Sequence, residues 1–98
     1  MSRAEWARDP GDRRWFRCGD ADLGVVESER EPGRWAPAYA GSGEAAGGAG
    51  RYLWTDLLDA IRAAARITAE QAARDAGADP YEACAAGQAA ARAAEVRS

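Results

Sequence analysis

Most of the hydrophobicity in this chain is alanine, so any core it builds must be thin and held by a few large side chains. Of the 98 residues 47% are hydrophobic, but 26 of those are alanine. The bulky aliphatics are four Leu, two Ile and three Val, and Phe16 stands with four tryptophans, Trp6, Trp15, Trp35 and Trp54. A tryptophan buries roughly 200 Å², so these rings are the expected pegs. One domain is the most a chain of this length supports. Leu, Ile, Val and Phe together are scarce enough to raise the question of disorder, but disorder also calls for high net charge. The net charge is only −3, which points to a folded module whose thin core invites a partner or a second copy.

The chain has no histidine, lysine or asparagine. That removes imidazole as base or metal ligand, the amine of Schiff bases, and a common adenine-reading side chain. Zinc needs clustered Cys and His, whereas Cys18 and Cys84 are far apart in sequence. Asp20-x-Asp22 offers too few oxygens for a calcium loop. Cys18 beside Arg17 has no base to activate it, and Glu27 with Glu29 reads as one exposed strand face. No enzyme, metal site or cofactor is expected. The glycine-rich stretch 40–50 cannot be a P-loop without lysine, nor does it match a Rossmann fingerprint. Both thiols are expected reduced and packed as small apolar groups. No signal peptide or membrane span is legible, and the cytoplasm is the expected location.

The pattern predicts an α+β fold: a three-stranded antiparallel meander followed by two antiparallel helices packed on one of its faces. Residues 1–13 read as a polar N-terminal arm ending in Asp-Pro-Gly and anchored only by Trp6. Residues 14–40 carry the meander, with strands at 14–18, 23–29 and 35–39. Leu23, Val25 and Glu27 share one side of the second strand; Trp35, Pro37 and Tyr39 share one side of the third. Glu31-Pro32-Gly33-Arg34 is a type II turn. Pro37 cannot donate to a ladder, which places its strand at an edge or a bulge. Residues 41–50 form a linker and 51–98 a two-helix segment, in which Arg51–Trp54 can add a short strand. Thr55 is the expected N-cap of a helix from about 56 to 76 with a stripe of Leu57, Leu58, Ile61, Ala64 and Ala65. Arg66 and Glu70 form an i,i+4 pair. Gly77 stops this helix, and Asp79 with Pro80 starts a second running towards Val96. Its Ala83, Gly87, Ala90, Ala91 and Ala94 permit close approach of the first.

Three functional readings follow. The preferred one is a small non-enzymatic module that binds another protein stoichiometrically, as inhibitor or adaptor, with homodimerisation an option. Its candidate surface is Trp15, Arg17, Arg34, Trp35 and Tyr39, with Tyr52 nearby; Trp, Tyr and Arg are the types enriched at interface hot spots. The competing use of these rings is to pack beneath the helices. Alanine, glycine and arginine bias without Lys or Asn suggests a GC-rich genome. Stand-alone proteins of this kind form a class often carried by phages or mobile elements, some directed against host defence. The second reading takes Ile67–Glu82, with Ala73 four residues before Gly77, as resembling a helix-turn-helix. Residues 67–92 would then serve a DNA-binding regulator, with Gln88 and Arg92 as readers. Asp79 and Glu82 would sit where phosphates should be met, and no basic patch exists, so nucleic acid is disfavoured. Third, a hairpin followed by Thr55-Asp56-Leu57-Leu58-Asp59-Ala60-Ile61 is similar to the sheet-then-helix core of HicB-type antitoxins. Their Gly-x-Thr-x-x-Glu-Ala phrase is altered here: the glycine is displaced and Leu58-Asp59-Ala60 stands in for the Glu-Ala step. The resemblance implies an antitoxin-like topology.

Overall fold

The computed structural model describes residues 4–19, 21–39 and 54–96. Strands β1 (Ala4–Arg8), β2 (Trp15–Arg17), β3 (Leu23–Glu27) and β4 (Trp35–Tyr39) are followed by helices α1 (Leu57–Asp75) and α2 (Pro80–Ala93), then strand β5 (Ala94–Val96). The sheet order is β4-β3-β2-β1-β5. Neighbours from β1 to β4 are antiparallel, while β5 pairs with β1 in parallel. The fold is therefore α+β as expected: a mostly antiparallel sheet with two packed helices lying on it.

Local chemistry makes the turns. Gly11 N donates to the Asp9 carboxylate at 2.8 Å, and Asp9 N to the Trp15 carbonyl at 2.8 Å, closing the β1–β2 connection. Arg34 N donates to the Glu31 carbonyl at 3.1 Å with Gly33 at φ +88°. Pro32 fixes φ before a glycine that tolerates the positive value, which is the type II turn of the sequence reading. Pro37 lies on β4, an edge strand, where its missing N–H costs no ladder bond.

Register sorts the side chains. Residues opposite each other share a face, and Phe16 pairs with Val25, Val25 with Pro37, and Glu27 with Trp35. The face holding Trp6, Phe16, Leu23, Val25 and Trp35 packs on Ala60, Ile61, Ala64 and Ala65 of α1. Rings from the sheet meet methyl groups from the helix, so large and small interdigitate as dense packing requires. Phe16 and Trp35 meet edge to face, centroids 5.4 Å apart. Helix α2 presses on α1 through Ala83 and Gly87. A Cβ on Gly87 would lie 2.6 Å from Glu70 Cγ and 3.1 Å from the Arg66 carbonyl oxygen, so only glycine allows this crossing.

Three expectations are corrected. The N-terminal arm contains β1: Ala4, Glu5 and Trp6 align with Ala94, Glu95 and Val96, and Trp6 is 2% exposed. Burying that indole ties the segment down, although its Nε1–H finds no acceptor among the described residues. The second helix does not reach Val96, because at Ala94 the backbone turns extended (φ −68°, ψ 132°) to enter the sheet. Nothing in the alanine run signals that stop; pairing with β1 imposes it. Finally, Asp56 and not Thr55 caps α1, accepting from Leu58 N at 2.9 Å. Asp79 caps α2 with Pro80 beginning the helix, and Gly77 (φ +93°) lies beyond the end of α1. The 41–50 linker and the proposed strand residues 51–53 lie outside the described residues. Trp54 exchanges two backbone hydrogen bonds with Trp35, at 2.8 and 2.7 Å.

Candidate functional site

The five residues singled out from sequence do not form one surface. Trp35 is 8% exposed and belongs to the core, packed against Phe16 and lying on the α1 side of β4. The expectation that it fronts an interface is thereby corrected: a sheet with so few aliphatics needs this ring inside. Trp15 and Arg17 flank the inward Phe16 and so point to the other face of the sheet. They lie across β3, where a Cβ on Gly24 would stand 3.1 Å from atoms of both side chains. Arg17 is committed locally, donating from Nε and Nη2 to the Ala21 carbonyl at 3.2 and 2.9 Å and facing Asp9 at 3.6 Å. Arg34 sits in the β3–β4 turn, 3.5 Å from Glu31. Tyr39, 42% exposed, ends β4 and borders a groove of about 280 Å³ that also touches Leu23, Ile67 and Thr68. Tyr52 lies outside the described residues.

Glu27 and Glu29 have structural employment. Glu27 accepts from Gly33 N at 2.8 Å, holding the turn. Glu29 and Asp12 both engage Arg14. Hydrogen bonding to Glu29, then to Asp12, raises the Arg14 pKa above its ordinary value. The Arg14 backbone N–H, then its side chain, lowers that of Asp12. Asp20 lies outside the described residues, among which no group of three or more Cys, Asp or Glu is placed to hold a metal ion. Cys18 is half-buried against the core, whereas Cys84 is exposed and free, its Sγ accepting from Gln88 Nε2 at 3.8 Å. Cys84 thus departs from the expected buried thiol. Among the described residues no helix is long and apolar enough to cross a membrane.

A surface that the sequence reading passed over lies on α2. Opposite the buried Ala83 and Gly87, its outer side presents Tyr81, Cys84, Ala85, Gln88 and Ala89, all exposed. Tyr81 is 89% exposed, and with Pro80, Cys84, Ala85 and Gln88 it borders an open depression of about 400 Å³. A helix without a charged side is normally covered, and the only charged residues between Pro80 and Ala93 are Glu82 and Arg92. That scarcity was visible in the sequence, but alanine on every side of the helix masks which side faces out. The same helix would be the reader in a helix-turn-helix. Its N-terminus presents Asp79, whose carboxylate accepts from Glu82 N at 2.8 Å and whose pKa that bond lowers.

The chain matches no known family model. Searches among curated proteins and among solved structures likewise gave no significant match. The functional reading therefore rests on these surfaces alone.

Proposed function

We propose that this protein is a small non-enzymatic binding module that docks on another protein through the outer side of α2, acting stoichiometrically as an inhibitor or adaptor. The observation that carries this reading is an 89% exposed Tyr81 at the head of a helix side with no charge at Cys84, Ala85, Gln88 or Ala89. Small side chains let a partner backbone approach closely, and a tyrosine supplies the large, low-entropy anchor typical of interface centres. The carboxylates of Glu27 and Glu29 are bound to a turn amide and to Arg14. Within the set first picked from sequence, Trp15 and Tyr39 are the aromatic side chains placed outside the core.

Affinity capture from the native host tests the proposal with three baits: the wild-type protein, Ala85→Glu, and Arg74→Glu on the outer side of α1. A partner of α2 is retained by the first and third and lost from the second, with circular dichroism unchanged throughout. Equal capture by Ala85→Glu would discard the assignment.

A further inference from the structure

The groove bordered by Tyr39 combines an apolar floor with an acidic rim. It lies where the start of β3 and the end of β4 meet the second half of α1, and it encloses about 280 Å³. Leu23, Tyr39, Ile67 and Ala72 line it, with Asp22 on the strand side and Asp75 on the helix side. Ile67, Gln71 and Asp75 are spaced four apart, so α1 presents them along one face. Leu23 is buried and Ile67 half-buried, whereas both aspartates are exposed.

The other polar groups of the lining are already engaged. Gln71 donates from Nε2 to Asp75 Oδ1 at 2.9 Å, and the Thr68 hydroxyl donates to the Ala64 carbonyl at 2.9 Å. Arg17 donates to the carbonyl of Ala21, next to Asp22, and faces Asp9 at 3.6 Å. Among the described residues the charged lining of the groove is Asp22 and Asp75 alone. In a chain of net charge −3, that rim attracts a cation. An apolar floor beneath it suits a long side chain that buries its hydrocarbon stem and keeps its charge at the surface. The face of an aromatic ring such as that of Tyr39 also attracts cations. The volume falls just short of the roughly 300–1,000 Å³ of clefts that hold whole small molecules, which matches a single side chain.

We propose that this groove seats one lysine side chain of a partner protein, its stem along Leu23, Ile67 and Ala72 and its ammonium at Asp22 and Asp75. A guanidinium binds best to both oxygens of one carboxylate, and Asp75 already gives one of its two to Gln71. An ammonium is a compact point charge that takes single oxygens from separate acids. The chain contains no lysine, so a lysine in the groove belongs to a different protein and not to a second copy. An acidic rim repels a phosphate backbone, which sets nucleic acid aside. No described residue of α2 lines the groove, so this seat is independent of the α2 surface.

The probe is the blocked tripeptide acetyl-Ser-Lys-Ser-amide, titrated into the intact protein at low salt and followed by NMR. Saturable amide shifts are expected at Leu23, Tyr39, Ile67 and Ala72. The same tripeptide with norleucine, which keeps the stem and loses the charge, should bind at least fivefold more weakly, as should the arginine tripeptide. Both comparisons leave the protein untouched. Asp22→Asn with Asp75→Asn should weaken lysine binding at least fivefold, and so should Ala72→Phe, which fills the groove, with circular dichroism unchanged. Tyr81→Ala should have no effect, so failure here is distinguishable from failure of the α2 reading. The proposal is overturned if the lysine tripeptide gives no saturable shifts at these amides, or if the norleucine or arginine tripeptide binds equally well. It is also overturned if either groove variant binds as the wild type does. Spermidine binding at least tenfold more tightly than the tripeptide would assign the groove to a free polyamine instead. Binding strengthened tenfold by Arg51→Gln would assign it to the chain's own guanidinium, and a dimer in sedimentation that dissolves in Ala72→Phe would assign it to a second copy; each of these overturns the proposal.

Discussion

The two helices lie side by side, yet they are built on opposite logics. Helix α1 buries Ala60, Ile61, Ala63, Ala64 and Ala65 and carries Asp59, Arg62, Arg66, Glu70, Arg74 and Asp75 outside that buried set. Helix α2 buries only Ala83 and Gly87, and most of what it leaves exposed is uncharged. The first is a complete amphipathic helix, with a core side and a solvated side. The second has an inner side shaped for α1 and an outer side with little to offer water. The lesson is that a helix can be fully placed in a fold while its surface is composed for something else.

That contrast can be broken by substitution. Ile61 is fully buried under the sheet, so Ile61→Ala should cost about 3 kcal/mol in urea unfolding, the large-to-small range for aliphatic cores. A loss below about 1 kcal/mol would mean that α1 is not the core helix described here. Next in size is Gly87→Val, which drives carbon into the Arg66 carbonyl and the stems of Arg66 and Glu70. It should destabilise by about 2 kcal/mol as overpacking does, and an unchanged melting curve would separate the helices. Asp56→Ala removes the carboxylate that accepts from Leu58 N and should cost about 1 kcal/mol.

At the start of α2, the bond from Glu82 N holds the Asp79 pKa below its ordinary value. A carboxylate with a lowered folded pKa stabilises above its unfolded value, near 3.9, and that contribution fades as pH falls through the folded value. Asp79→Asn keeps a cap without titrating. Thermal melts of the two proteins should therefore run parallel near pH 7, and the wild type should lose more of its stability on acidification below about pH 4. Matching losses would show that the cap is not formed in solution. Smallest of all is Tyr81→Ala, within about 0.5 kcal/mol for an exposed side chain. A larger loss would show that the ring belongs to the fold and is not held out for a partner.

Much of the architecture was legible from residues. Pro32-Gly33 marked its turn, Asp79-Pro80 marked a helix start, and the alternation of Leu23, Val25 and Glu27 marked one side of a strand. These signals are local: a fixed φ, a side-chain cap and a period of two act within a few residues. The neighbouring strands β1 and β5 were not legible. Strand β5 has three residues and no reason to be extended until β1 is beside it, and their pairing joins positions ninety residues apart in the chain. The candidate surface failed for a related reason. Trp15 and Trp35 read alike as aromatic residues with arginine neighbours, and only cross-strand register puts one on each side of the sheet.

Composition determined that the core would be thin and that tryptophan would peg it, and the order of local signals placed an antiparallel meander ahead of two helices, since these follow from side-chain volume and local backbone preference. Which rings went inside, which side of α2 was left uncharged towards solvent, and which edge the last strand occupied were settled in three dimensions. Alanine is small enough to be buried or exposed at little cost, so in a chain this rich in it the decision passes to the neighbours that tertiary packing supplies.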